Sequence, residues 1–234
     1  VTFLELARLH RLREGAASLQ AGGKVIDAQL EAGFESASAF RKAFSALIGR
    51  PPQAMAEKTG LVADFISTPI GPMVSVCTSD MVYLLEFADR KELPRELQSV
   101  EKETGERISF GASPAFSQLK KELTDYFAGT NLAFSVATQG YGTAFMAKVH
   151  STLRSIPPGE TRSYAALALS IDRPTAMRAV ARANAANRLA IIVPCHRVIA
   201  ADGSLAGYAG GVWRKEWLLN HERQACSNEQ GTAL

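Results

Sequence analysis

Cysteine is scarce in this chain of 234 residues: Cys77, Cys195 and Cys226 stand far apart, and no CxxC pair is present. An odd, scattered set suggests neither a zinc site nor a disulfide framework, and points to a reducing, cytoplasmic setting. Long apolar runs are also lacking. Nothing approaches the roughly 18 to 20 residues of a membrane-spanning helix, so no membrane association is expected. The first residues, "FLELARLHRL", read as an amphipathic charged helix rather than the apolar core of a signal peptide. The start at Val1, without methionine and inside a helical pattern, is that expected of a piece of something longer.

Excess charge is small overall, a formal +3, but it is unevenly placed. Residues 61–142 hold 7 Lys/Arg against 11 Asp/Glu, whereas residues 143–225 hold 11 against 5. A basic segment is the footprint of a phosphate-backbone partner, or equally a solvated surface that happens to be basic. At 47% hydrophobic and 21% charged, the composition is that of a globular protein of one large domain or a few small ones.

Four segments follow from pattern. Residues 1–58 are expected to be a joining helix, with Leu9, Leu12, Ala16 and Leu19 on one stripe, and a helix-turn-helix. In the latter, a short helix over 25–32 stops at Gly33, and a second starts after the cap Ser36, with Phe40, Phe44, Leu47 and Ile48 on one face. Residues 61–142 alternate β-branched and aromatic residues with tight turns and predict a small antiparallel sheet, with helices over the charged stretch near 91–105 and over 114–128. Residues 143–225 predict a helical subdomain: helices over 145–156, over "SYAALAL" and from Thr175 to Ala185, a strand-like apolar run into "PCHRV", a turn at Asp202 and an end helix. Residues 226–234 read as a disordered polar tail. The fold class is α+β.

"PCHRV" poses the chemical question. A free thiol is mostly protonated at neutral pH, so a nucleophilic cysteine needs a base, and that base benefits from a carboxylate behind it. Cys195 has His196 beside it and Glu222 in the end helix. Neighbours on a regular strand point to opposite faces, so cooperation requires irregular backbone, which Pro194 makes plausible. From the residues alone this is either a Cys-His-Glu site or a buried structural cysteine beside a surface histidine. Cys77 reads as core and Cys226 as an idle thiol; His10, His150 and His221 have no evident partner.

The wording goes further than the pattern. "DAQLEAGFESASAFRKAFSALIGRPPQAM" resembles the second helix-turn-helix of the AraC type of transcription factor. "RAV" and "AANRLAIIVPCHRVIAADGSLAGYAGGVWRKEWLLNHE" resemble the 6-O-alkylguanine-DNA alkyltransferases, the methylated-DNA–protein-cysteine methyltransferases. That likeness runs from about Leu61 to Arg223, and the whole looks like the C-terminal part of an adaptive-response regulator of the Ada type, without its four-cysteine zinc domain. The resemblance implies a ribonuclease H-like sheet subdomain followed by a winged-helix-like catalytic one. It also implies transfer of an alkyl group from 6-O-alkylguanine, and from 4-O-alkylthymine, in double-stranded DNA to Cys195. The reaction runs once per molecule, without cofactor or metal, in a monomer that binds the minor groove.

By the same resemblance His196 takes the thiol proton through a water, Glu222 orients His196, and Tyr164 donates toward guanine N3. Asn187 braces the turn before the active cysteine. Arg178 fills the stack left by the flipped base, on a recognition helix that also presents Thr175, Ala176, Ala179 and Arg182. Val198, Tyr208, Ala209 and Gly210 line the alkyl pocket, and the carbonyls of Cys195 and Val198 read the guanine amino group. Two other readings remain: a transcriptional regulator in which repair is secondary, and a Cys-His-Glu hydrolase, in which the basic segment would have no purpose.

Overall fold

The computed structural model describes residues 3–49, 51–52, 60–205 and 207–231, without the side chains of several residues in the first helix and at the C-terminal end. The side chains of Leu9 and His10, and residues 50 and 53–55 of the AraC-like stretch, therefore lie outside what is described. The chain divides into two compact units, residues 1–120 with 136–138, and residues 121–135 with 139–234.

The first unit opens with α1 (Phe3–Gln20), α2 (Val25–Glu31) and α3 (Ala37–Ile48). Ser36 caps α3 by accepting the Ala39 amide at 3.2 Å. Gly49, at φ +85°, closes the helix in the left-handed conformation that glycine adopts without strain. Gly15 sets the spacing: a Cβ there would fall 2.8 Å from the Ala28 carbonyl and 2.7 Å from the Phe40 ring, so the helices approach where no side chain intervenes.

The sheet has the order β3-β2-β1-β4, from β1 (Leu61–Ile66), β2 (Met73–Cys77), β3 (Val82–Phe87) and β4 (Ile108–Phe110). The first three strands pair antiparallel as expected. The fourth does not: β4 lies parallel to β1, with Leu61 opposite Ile108. The reason is α4 (Leu93–Thr104), a crossover that buries Leu93, Leu97 and Val100 and returns the chain to the end where β1 begins. The sheet is therefore mixed rather than purely antiparallel.

Aromatic contacts run from α3 into this sheet. Phe40 meets Phe44 at 5.7 Å between ring centroids, Phe44 meets Phe110 at 5.6 Å, and Phe110 stacks with Phe65 at 6.3 Å. The helical segment and the sheet thus share one hydrophobic core. The change of pattern near residues 58–61 separates two segments inside a single compact unit.

The division between units falls inside α5 (Pro114–Ala128), which Ser113 caps through the Phe116 amide at 3.0 Å. The second unit continues with α6 (Ala144–Arg154), β5 (Arg162–Ser163), α7 (Tyr164–Ser170), α8 (Met177–Ala185), β6 (Val198–Ile199) and α9 (Val212–Gly231). Thr143 and Ser163 cap α6 and α7. The expected recognition helix starts later than its pattern suggests: Pro174–Ala176 form a 3-10 turn, and α8 proper begins at Met177.

Two further expectations are corrected. The apolar run before Pro194 is not a strand: residues 190–193 form a turn, with Ile191 in the left-handed region at φ +70°. A side chain-rich turn can be apolar because it is enclosed; Leu189, Ala190, Ile191 and Val193 are all buried. Nor are residues 226–231 an irregular tail, since α9 continues to Gly231. Ala225 is buried, and the Cys226 thiol is half-buried, 3.6 Å from the Pro158 carbonyl, so packing extends the helix where composition suggests disorder.

Among the described residues no helix is long and apolar enough to cross a membrane, and no group of three or more His, Cys, Asp or Glu is placed to hold a metal.

Candidate active site

Cys195, His196 and Arg197 form a single 3-10 turn between Pro194 and β6. β6 pairs in parallel with β5, Ser163 lying opposite Ile199, and β5 runs directly into α7, whose first residue is Tyr164. This pairing brings the "SYAALA" and "PCHRV" motifs, more than thirty residues apart in sequence, to one place. The turn encloses the thiol, for Cys195 is only 6% accessible.

The tight turn resolves the objection raised by adjacency. Cys195 and His196 meet different partners: Asn187 Nδ2 lies 3.1 Å from Cys195 Sγ, whereas His196 Nε2 lies 2.8 Å from Glu222 Oε1, across 26 positions. His196 and Glu222 are both fully buried.

Glu222 is the centre of the polar network. Its carboxylate accepts from Arg197 Nε at 2.9 Å and Nη2 at 2.8 Å, from the Tyr126 hydroxyl at 2.7 Å, and from the Gly159 amide at 3.3 Å. Burial alone would raise the carboxyl pKa, but the hydrogen bond from His196, and the hydrogen bonds and charge of Arg197, outweigh it and hold Glu222 well below the usual carboxylate range. The Tyr126 hydroxyl is pushed well above its ordinary value, by burial and by the adjacent Glu222 charge, so it stays a donor.

An ionised Glu222 accepts only, so the proton between it and His196 sits on Nε2. Burial lowers the His196 pKa, with Glu222 opposing, and the ring is neutral with an unprotonated Nδ1. Nδ1 is buried and has no hydrogen-bond partner among the described residues. The ring is thus oriented and supplied with a counter-charge, and its free lone pair can receive a proton.

Asn187, buried at the end of α8, binds the enclosed turn on several sides. Nδ2 donates to the Val193 carbonyl at 2.9 Å as well as approaching the thiol, and Oδ1 accepts the Leu189 amide at 3.0 Å. Left-handed Ile191 lies inside the loop so held, where a β-branched residue costs on the order of 1–3 kcal/mol. Tyr164 is half-buried; burial first, and the electrostatic influence of Cys195 next, raise its pKa, so its hydroxyl keeps its proton.

Elsewhere the expected residues spread out. Arg178 and Arg182 are exposed on α8 beside Met177, 48% accessible, and Thr175 is exposed on the preceding turn, with Ala176 and Ala179 half-buried. Val198 and Gly210 are buried, Tyr208 is half-buried and Ala209 is exposed. The carbonyls expected to read guanine already serve the protein: Val198 O accepts Lys215 Nζ at 2.5 Å, and Cys195 O accepts the Val198 amide. A carbonyl has two lone pairs, so each can take one more donor.

Several contributors carried no sequence signal. Tyr126 lies 96 positions from Glu222. Arg197 sits inside "PCHRV", and its buried guanidinium donates to both oxygens of Glu222. Lys215 is fully buried next to Val198, and burial lowers its pKa while the Cys195 charge raises it. His221 and His150, for which no partner was evident, are engaged: His221 Nε2 lies 2.6 Å from the Tyr126 carbonyl, and His150 Nε2 lies 3.1 Å from the Ala183 carbonyl.

Residues 144–224 match the family model described as 6-O-methylguanine DNA methyltransferase, DNA binding domain. The chain is 43% identical over 167 residues to a methylated-DNA–protein-cysteine methyltransferase of Salmonella typhimurium, covering 69% of this chain and 95% of that protein. It is 40% identical over 157 residues to a constitutive protein of the same name from Bacillus subtilis, covering 67% and 92%. Among solved structures, an O6-methylguanine methyltransferase of Mycobacterium tuberculosis superposes with a TM-score of 0.61 at 38% identity, over 70% of this chain and 94% of that one. The OGT of the same organism in complex with DNA gives 0.60 at 37% identity, over 70% and 93%.

Proposed function

The chain belongs to the methylated-DNA–protein-cysteine methyltransferases, and on that premise we propose that Cys195 is the alkyl acceptor and that the buried His196–Glu222 pair serves it. The protein binds DNA and repairs it by moving an alkyl group from the damaged base to its own cysteine. The new thioether is not reversed, so each molecule acts once.

The observation that carries the assignment of roles is the Nδ1, unpartnered among the described residues, of a fully buried, Glu222-anchored His196 one residue from a buried cysteine. In the transfer, the S–H proton passes through a water to Nδ1, and Glu222 with Arg197 balances the imidazolium that forms. Cys195 Sγ bonds to the alkyl carbon as the carbon–oxygen bond breaks. Tyr164 donates at guanine N3, so the departing base leaves without a full negative charge. Asn187 Nδ2 steadies the thiolate. A base inside a duplex cannot reach this turn, so the nucleotide is flipped out, and Arg178 occupies the space it leaves. Exposed Arg178 and Arg182 and the small residues around Ala179 suit a minor-groove approach.

The test is the intact mass of the protein after incubation with a duplex holding one O6-methylguanine. One added methyl group on the peptide containing Cys195, with no turnover beyond one per molecule, is expected. A methyl group on another residue, or multiple turnover, refutes the assignment. Arg178→Ala checks the flipping role. Transfer from duplex should slow about tenfold or more, because unstacking costs a few kcal/mol, while transfer from a single strand changes little. Equal slowing on both substrates would contradict stack filling.

The N-terminal segment is read as an AraC-type helix-turn-helix, and the whole as the C-terminal part of an Ada-type regulator with ribonuclease H-like and winged-helix-like subdomains. The capped α3, the turn at Gly33 (φ +61°) and the exposed Arg41 and Lys42 support a nucleic-acid contact there.

A further inference from the structure

Asn187 can steady a thiolate only if its side-chain NH2, and not its carbonyl, faces the sulfur. Two backbone groups favour that orientation: the Leu189 N–H can only donate, and points to Oδ1 at 3.0 Å, whereas the Val193 carbonyl can only accept, and takes Nδ2 at 2.9 Å. A third contact comes from outside the turn. The Tyr141 hydroxyl, on the segment that leads into α6, lies 3.2 Å from Asn187 Oδ1. That hydroxyl is itself fixed. It accepts the Arg188 amide at 2.7 Å, and the Arg188 guanidinium lies over the Tyr141 ring at 3.9 Å from its centroid. Its hydrogen faces Oδ1 and, at 3.3 Å, the Ala186 carbonyl, both in the turn that ends α8.

We propose that Tyr141 is a positioning residue for alkyl transfer: by holding Oδ1 of Asn187 it keeps Nδ2 directed at Cys195 Sγ. The proposal rests on Cys195 being the acceptor. With Oδ1 turned to the Leu189 amide and the Tyr141 hydroxyl, Nδ2 faces the Val193 carbonyl at 2.9 Å and the sulfur at 3.1 Å, with the Leu189 carbonyl farther off at 3.4 Å. A hydrogen bond donated to a thiolate favours the ionised form and so the nucleophile. Arg188 immediately follows Asn187, so its stacking and its amide hold Tyr141 against the residue that Tyr141 orients.

The test compares the parent protein, Tyr141→Phe, Asn187→Ala and the double variant. Three readouts are needed: single-turnover methyl uptake from an O6-methylguanine duplex, the rate of iodoacetamide labelling of the Cys195 peptide against pH, and the melting temperature. Tyr141→Phe removes one oxygen. It should slow uptake about threefold to tenfold, the size of one hydrogen bond, without changing DNA affinity. It should also move the labelling profile to higher pH. In the Asn187→Ala background the same change should have no further effect, because the two residues act in series. Unchanged uptake and labelling in Tyr141→Phe would overturn the proposal. So would an equal further loss on top of Asn187→Ala, or a fall in melting temperature with the labelling profile unmoved. If the parent protein takes up no methyl group, the acceptor assignment fails instead, and the labelling profiles still decide the role of Tyr141.

Discussion

A Cys195→Ala variant is expected to take up no methyl group from alkylated duplex while binding that duplex as the parent does. The change removes a single sulfur at a site 6% accessible, and Asn187 keeps its contacts with Val193 and Leu189, so the turn should persist. Uptake should fall by at least about a thousandfold, because removal of the nucleophile leaves no alternative acceptor in the same place. The remaining thiols do not substitute. Burial pushes Cys77 up to about 12, and it lies in β2 of the other compact unit. Cys226 is half-buried on α9 against Pro158. The measurement is incorporation of a labelled methyl group, with duplex affinity from fluorescence anisotropy. Retained incorporation, or a labelled peptide holding Cys77 or Cys226, would sink the assignment.

Loss of the Glu222 carboxylate should have the second largest effect, on stability and rate together. Glu222→Ala leaves the buried Arg197 guanidinium without its counter-ion and takes the acceptor from His196, Tyr126 and the Gly159 amide. Breaking a buried pair by removing one partner costs about 3–5 kcal/mol, which should appear as a melting temperature lower by roughly 10 °C or more. Glu222→Gln separates charge from shape. It keeps an oxygen for one donor, should destabilise less, and should slow methyl transfer about tenfold to a hundredfold, because nothing then balances a protonated His196. Parent-like transfer by Glu222→Gln would refute the role of the pair.

The pH dependence has a definite sign. The Glu222 carboxyl titrates lower in the folded protein than in the unfolded chain, where its pKa is about 4.3. Its contribution is therefore complete above that value and is lost as pH falls through the folded pKa. The melting temperature of the parent should fall faster than that of Glu222→Gln as the solution is acidified below about pH 4. His196 is also lowered, by burial, so its neutral form persists at neutral pH, and transfer should not be lost by its protonation until below its usual range.

How far the site could be read from residues alone varies with distance along the chain. The helices over 25–32, 37–48 and 114–128 are local matters of caps and glycine stops, and they stand where the pattern puts them. The sheet within 61–142 is legible from its alternating pattern, but the parallel pairing of β4 is not, because direction depends on where α4 returns the chain. The apolar run at 189–193 misleads for a physical reason. Burial makes a run apolar whether it is a strand or an enclosed turn, and here Asn187 supplies the polar contacts that a sheet would have supplied. The α9 extension to Gly231 was missed because its polar composition conceals the packing at Ala225.

The amino-acid order by itself determined the chemistry available: one cysteine followed by a histidine, a carboxylate in the end helix, and arginines gathered in the same third of the chain. It also carried the family resemblance, since these residue types occur in long, contiguous motifs. Only the tertiary structure decided how they combine. Adjacency in sequence argued that Cys195 and His196 would point apart, and they do meet separate partners, Asn187 and Glu222. The 3-10 turn holds both at one site, and Tyr126, Arg197 and Tyr141 complete it from positions with no local signature. The reason is that a buried charge or amide must find its hydrogen bonds wherever the fold offers them. The partners of Glu222 and Asn187 were therefore chosen by proximity in space, about which spacing along the chain carries no information.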